Sequence, residues 1–135
     1  MNKAEIIEIL NAFPYDREDY WVVAGGAMVL YGIREQTHDI DLGCSQRMAD
    51  ALEQGGFLQG FSENGRRRFR YGGQIEIFEN WLSDSVISVE GIPVVSLRGL
   101  IEMKQELGRE KDLEDIRLIL THMQHELTGD NDEAG

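Results

Sequence analysis

The segment Val22-Val23-Ala24-Gly25-Gly26-Ala27-Met28, followed closely by Thr37-His38-Asp39-Ile40-Asp41-Leu42, constrains this chain more than any other part of it. An apolar run ends in two glycines that read as the entrance of a helix. A second apolar run then carries two carboxylates one residue apart. Residues two apart in a strand project to the same face, so Asp39 and Asp41 are expected to point together while Ile40 faces the core. Neighbouring carboxylates repel each other, and a divalent cation relieves that repulsion. Glycines at a helix N-terminus leave bare backbone N–H groups that a phosphate can approach closely. The combination points to a metal and a nucleoside triphosphate, against the plainer alternative of an exposed strand face.

The rest of the chain predicts the frame around this pair. Ile6, Ile7, Leu10 and Phe13 recur at helical spacing, so residues 3–13 read as an amphipathic helix ending before Pro14. Residues 21–23 read as a buried strand and 26–31 as a helix stopped near Gly32. Ser45 is placed to cap a helix carrying Met48, Ala49 and Leu52, closed by Gly55-Gly56. Short strands are expected at 57–61, 67–71 and 74–78, with turns at Asn64-Gly65 and Gly72-Gly73, and a hairpin at 86–89 and 92–95 turning at Glu90-Gly91. Ser96 caps a helix running to Leu107, Gly108 stops it, and 111–127 is the last helix. The acidic, small-residue tail at 128–135 is expected to be disordered. This order of elements predicts one α+β domain, residues 1–127, with a mixed β-sheet and flanking helices.

A chain of 135 residues is long enough for one buried core and too short for two. No apolar run approaches the roughly 20 residues needed to cross a bilayer, and residues 1–5 do not resemble a secretion signal, so a cytoplasmic protein is expected. The single cysteine, Cys44, reads as a small buried side chain rather than a reactive thiol. A formal net charge of −12 argues against a broad grip on nucleic acid, whose phosphates call for lysine and arginine.

Gly25-Gly26 followed by Asp39-x-Asp41 resembles the signature of the polymerase-beta-type nucleotidyltransferase superfamily, in particular its small bacterial members, which include antibiotic nucleotidyltransferases and related toxins. The resemblance implies a third carboxylate on a later strand, and Glu76, the one acid inside the run Gln74-Ile75-Glu76-Ile77-Phe78, is the candidate. It extends to a helix lysine, Lys104, and to the run Arg109-Glu110-Lys111-Asp112-Leu113-Glu114-Asp115-Ile116, so that it spans residues 21–120. It implies transfer of a nucleoside monophosphate from an NTP to an acceptor hydroxyl with release of pyrophosphate. Asp39, Asp41 and Glu76 would hold two Mg²⁺ ions, and Glu76 would take the acceptor's proton. Gly25, Gly26, Arg34, Thr37, Lys104 and Lys111 are the expected nucleotide-binding residues. Arg34 lies one place earlier than the family's arginine, with Glu35 at the family position, and no serine is present in the turn to bond a phosphate.

Several of these residues also admit plainer roles. Gly25 and Gly26 can be packing glycines, and His38 falls on the face away from the carboxylates, which favours an exposed or packing role. Lys104, Arg109 and Lys111 are either triphosphate ligands or surface helix charges, and Asp112 and Asp115 read as acids that order Arg109 and Lys111. Arg66, Arg68 and Arg70 form either a charged edge strand or a phosphate- or acceptor-binding face. The chief rival to an enzyme is an inactive protein of the same fold, binding nucleotide or a partner, or a toxin–antitoxin component. The acceptor (antibiotic, protein side chain or RNA end) stays open, and a homodimer or a partner chain covering the cleft is expected.

Overall fold

The two apolar runs around the glycine pair are neighbours in one sheet. In the computed structural model, Tyr20–Val23 (β1) and Ile40–Cys44 (β2) pair antiparallel, with Val23 opposite Asp41 and Tyr20 opposite Cys44. Ala24–Leu30 (α2) connects them, and Lys3–Asn11 (α1) precedes them. After β2 come Gln46–Gln54 (α3), Leu58–Phe61 (β3), Arg67–Tyr71 (β4), Ile75–Glu79 (β5), Val86–Val89 (β6), Ile92–Val95 (β7), Leu97–Leu107 (α4) and Glu110–Ala134 (α5). The backbone is described for residues 1–134 and the side chains for 1–127, so the expected disordered tail at 128–135 lies outside the residues described with their side chains.

Local chemistry sets the helix ends. Asn2 accepts a hydrogen bond from Glu5 N while the Glu5 carboxylate accepts one from Asn2 N, a reciprocal cap on α1. Ser45 accepts from Met48 N and Ser96 from Gly99 N, as expected of both serines. Gly108, at φ 62°, closes α4 in a conformation that costs a residue with a Cβ more than it costs glycine.

The seven strands run in the order β3-β4-β5-β2-β1-β7-β6. β2 is parallel to β5 and β1 is parallel to β7, while the remaining neighbours are antiparallel, so the sheet is mixed as expected. The alternation of each strand puts Tyr20, Val22, Ile40, Leu42, Phe69, Ile75 and Ile77 on one face, all of them buried. Each fully buried Leu or Ile there contributes about 2 kcal/mol of apolar transfer. Phe13, just after α1, stacks edge-on against Tyr20 and Tyr71, and Arg67 reaches from the same face to Asp50 and Glu53 of α3 and to Glu79 of β5. Asp41, Glu76, Arg70 and Phe78 fall on the opposite face by the register of β2, β5 and β4.

Two details differ from expectation. β4 lies between β3 and β5, so the arginine-rich strand is interior and the charged-edge reading of Arg66, Arg68 and Arg70 does not hold. Asp39 stands in the bend immediately before β2 rather than within the strand, because regular pairing with the parallel neighbour begins at Ile40 opposite Ile75.

Candidate active site

The parallel register of β2 and β5 sets Asp41 directly beside Glu76, and Asp39 leads into the same strand end. Sequence reasoning grouped the three acids; the sheet register sets Asp41 beside Glu76, and Asp39 adds its charge from the bend before β2. Asp41 carries the consequence: burial first, then the charges of Glu76 and Asp39, push its carboxyl up to about 7, against the opposing pull of Lys104 and Arg70.

Arg70 stands opposite Glu76 in the antiparallel β4–β5 pair. Its Nη1 donates to Glu76 Oε1 at 2.6 Å, its Nη2 lies 3.7 Å from Asp39 Oδ1, and the same Nη2 donates to Gly73 O at 3.0 Å. The alternation read as one basic face therefore serves different surroundings. Arg66 borders the main cavity, whereas Arg68 and Arg70, with Gln59, Phe69 and Glu76, line a separate cleft of about 130 Å³.

A second charged cluster faces the carboxylates from the C-terminal helices. Lys104 on α4 is nearly buried, and its Nζ donates to Asp115 Oδ2 at 2.9 Å and lies 3.8 Å from Asp112 Oδ1. Arg34, just after α2, pairs with the same Asp115. Asp112 accepts from Arg109 Nε at 2.6 Å, from Nη2 at 3.1 Å and from the Arg109 backbone N–H at 3.1 Å. The side-chain bonds from Arg109 hold its carboxyl below the usual carboxylate range, against the effect of burial. Asp112 and Asp115 thus order Arg109, Lys104 and Arg34. Lys111, which they were expected to order, is exposed on α5 and is absent from the cavity lining.

The glycine pair sits inside the first turn of α2 rather than ahead of it. Ala24 makes the turn at φ 55°, an uncommon conformation for a residue with a side chain, and no side chain caps the helix. A Cβ on Gly25 would meet Thr37 Oγ1 at 2.7 Å, and one on Gly26 would meet Val22 Cγ1 at 3.1 Å. Gly25 therefore lets the Thr37 segment close on the turn, where Thr37 Oγ1 donates to Asp39 O at 3.1 Å. The packing role of the glycines is visible directly. His38 is exposed, in keeping with its expected place away from the carboxylates.

These pieces border a cavity of about 580 Å³, lined among others by Ala24, Asp41, Phe78, Trp81, Met103, Lys104, Arg66 and Arg109. Trp81 was missed by sequence reasoning. Trp21 Nε1 donates to Trp81 O at 2.8 Å, and this bond crosses Gly43, where a Cβ would lie 2.0 Å from Trp21 Nε1. A glycine inside an apolar strand is the available signal of such a close approach.

Three carboxylates are the oxygen donors that a hard divalent cation takes, so the donor set of Asp39, Asp41 and Glu76 fits magnesium in its chemistry. Among the described residues, no three or more His, Cys, Asp or Glu side chains converge as a metal cluster in this conformation, in which Glu76 is turned to Arg70. No protein-family model and no curated relative matches the chain. Solved structures do resemble it. A Thermotoga maritima protein, described only provisionally as a nucleotidyltransferase, is 22% identical with a TM-score of 0.61 over 90% of this chain and 96% of that one. ANT(2″)-Ia, seen in complex with adenylyl-2″-tobramycin, is 18% identical with a TM-score of 0.60 over 90% and 88%. The lincosamide antibiotic adenylyltransferase LnuA, with lincomycin bound, is 17% identical with a TM-score of 0.57 over 90% and 98%. At these identities the likeness is one of architecture: the chain has the nucleotidyltransferase-like α+β fold that these structures share.

Proposed function

We propose that this protein is a Mg²⁺-dependent nucleotidyltransferase that moves a nucleoside monophosphate from an NTP to an acceptor hydroxyl and releases pyrophosphate. The observation that carries the reading is the register of Asp41 beside Glu76, with Asp39 at the same strand end, where Asp41 borders a cavity that Lys104 also lines. Asp39 and Asp41 would hold the metal on the triphosphate side, and Glu76 would complete the set and accept the acceptor's proton. Two bound Mg²⁺ ions supply charge neutralisation at the triphosphate and activation of the acceptor oxygen. Lys104, Arg34 and the backbone amides of the Ala24-Gly25-Gly26 turn would take the phosphates, with Thr37 holding the turn. The resemblance to an adenylyltransferase seen with lincomycin, and to ANT(2″)-Ia seen with an adenylylated antibiotic, supports a small hydroxylated acceptor. As part of the same reading, a second copy or a partner chain closes the acceptor side, and the protein works in the cytoplasm.

The test is nucleotidyl transfer from each of the four labelled NTPs, with and without Mg²⁺, read as pyrophosphate release and as label on acceptor mixtures. Asp39→Asn and Asp41→Asn should abolish transfer, and Glu76→Gln should lose turnover while still binding NTP with Mg²⁺. Wild-type rates in either aspartate variant would overturn the assignment. A second reading, an inactive protein of this fold that binds nucleotide or a toxin–antitoxin partner, is favoured by one observation: Arg70 engages Glu76 and approaches Asp39. Metal-dependent NTP binding without turnover on any acceptor class would support it.

A further inference from the structure

Arg70 has no role in the transferase reading above, yet it sits on two of the acids that reading uses. Its guanidinium occupies the place where a cation would relieve the carboxylates, 2.6 Å from Glu76 and 3.7 Å from Asp39, and it is tied to the β4–β5 turn through Gly73 O. The strand that carries it is interior, so its Cα cannot retreat from Glu76, which stands opposite in register. The side chain, about one-third exposed, can rotate, and the cleft of about 130 Å³ beside Gln59, Arg68 and Phe69 adjoins it. A guanidinium beside two carboxylates and a divalent cation on the same carboxylates oppose each other, since both are positive and Arg70 takes up Glu76 Oε1, one of the oxygens a cation would use.

We infer that Arg70 is a resident counterion that competes with the divalent metal for Glu76 and Asp39 and swings off them when metal binds. This rests on the reading that Asp39, Asp41 and Glu76 hold the metal. In the metal-free protein the arginine is the counterion of these acids, and the intrinsic affinity for the ion is set lower than three carboxylates alone would give.

The experiment is Mn²⁺ titration of the metal-free full chain, without nucleotide, reading free Mn²⁺ by electron paramagnetic resonance and, in parallel, the thermal unfolding midpoint. Arg70→Gln should bind Mn²⁺ about tenfold more tightly than wild type, the equivalent of one charge-assisted hydrogen bond that metal no longer has to break. Arg70→Lys, which keeps the charge but not the fork, should fall between them. Mn²⁺ should also raise the midpoint of Arg70→Gln further than that of wild type. Equal or weaker Mn²⁺ binding by a folded Arg70→Gln overturns the proposal and leaves the metal assignment standing. Failure of wild type and of every variant to bind Mn²⁺, even with NTP present, sinks the metal reading and this one with it.

Discussion

Asp41 is the side chain whose ionisation has the clearest thermodynamic consequence. Its carboxyl is held near 7 in the folded protein, whereas the unfolded chain titrates it near 4, so the folded state binds the proton more tightly. Its contribution to stability is therefore complete below about pH 4, is lost as the pH rises toward 7, and stays lost above. Metal-free Asp41→Asn should lack this loss and exceed wild type by about 2 kcal/mol at pH 8 after allowing for partial solvent screening, as urea melts at pH 4 and 8 would show. Lys104 is the opposite case. Nearly buried against Asp115 and Asp112, it leaves two acids short of a counterion when removed, although Arg34 and Arg109 remain. Lys104→Met should cost about 2–3 kcal/mol in the same urea measurement. The acids, the lysine and Arg34 were legible as members of a motif. Their pairings were not, since Arg34 and Asp115 are 81 positions apart and helical spacing speaks only for neighbours on one helix.

At the level of elements, what was legible is what is local. The Ser45 and Ser96 caps, the Gly108 stop and the hairpin turning at Glu90 and Gly91, both with positive φ, each depend on a few adjacent residues. The order of strands was not legible, and with it went the interior position of β4. The role of Gly43 was hidden for the same reason, because the atoms that forbid a Cβ belong to Trp21 and to the Trp81 carbonyl, far along the chain. Gly43→Ala should lower stability by about 2–3 kcal/mol and change the tryptophan emission of the folded protein. Gly73→Ala, where a Cβ would meet open space, should shift stability by less than about 0.5 kcal/mol, and chemical unfolding followed by fluorescence distinguishes the two.

For the molecule as a whole, the net charge of −12 sets the behaviour toward polyanions. The cavity-lining Arg66, Lys104 and Arg109 are too few against that field to hold a backbone without sequence preference. Random-sequence RNA labelled with a fluorophore should show no saturable anisotropy change at physiological salt. The sheet register also dictates an order of assembly. Glu76 and Arg70 leave the ribosome together on one hairpin, so that acid has its counterion from the start, whereas Arg34 and Lys104 gain theirs only when Asp115 follows. Asp41 finds Glu76 only after α3, β3 and β4 have been made, a long-range pairing that slows folding. The last helix is thus the final piece of the cleft's charge balance, since Asp115 lies on it and serves both cations.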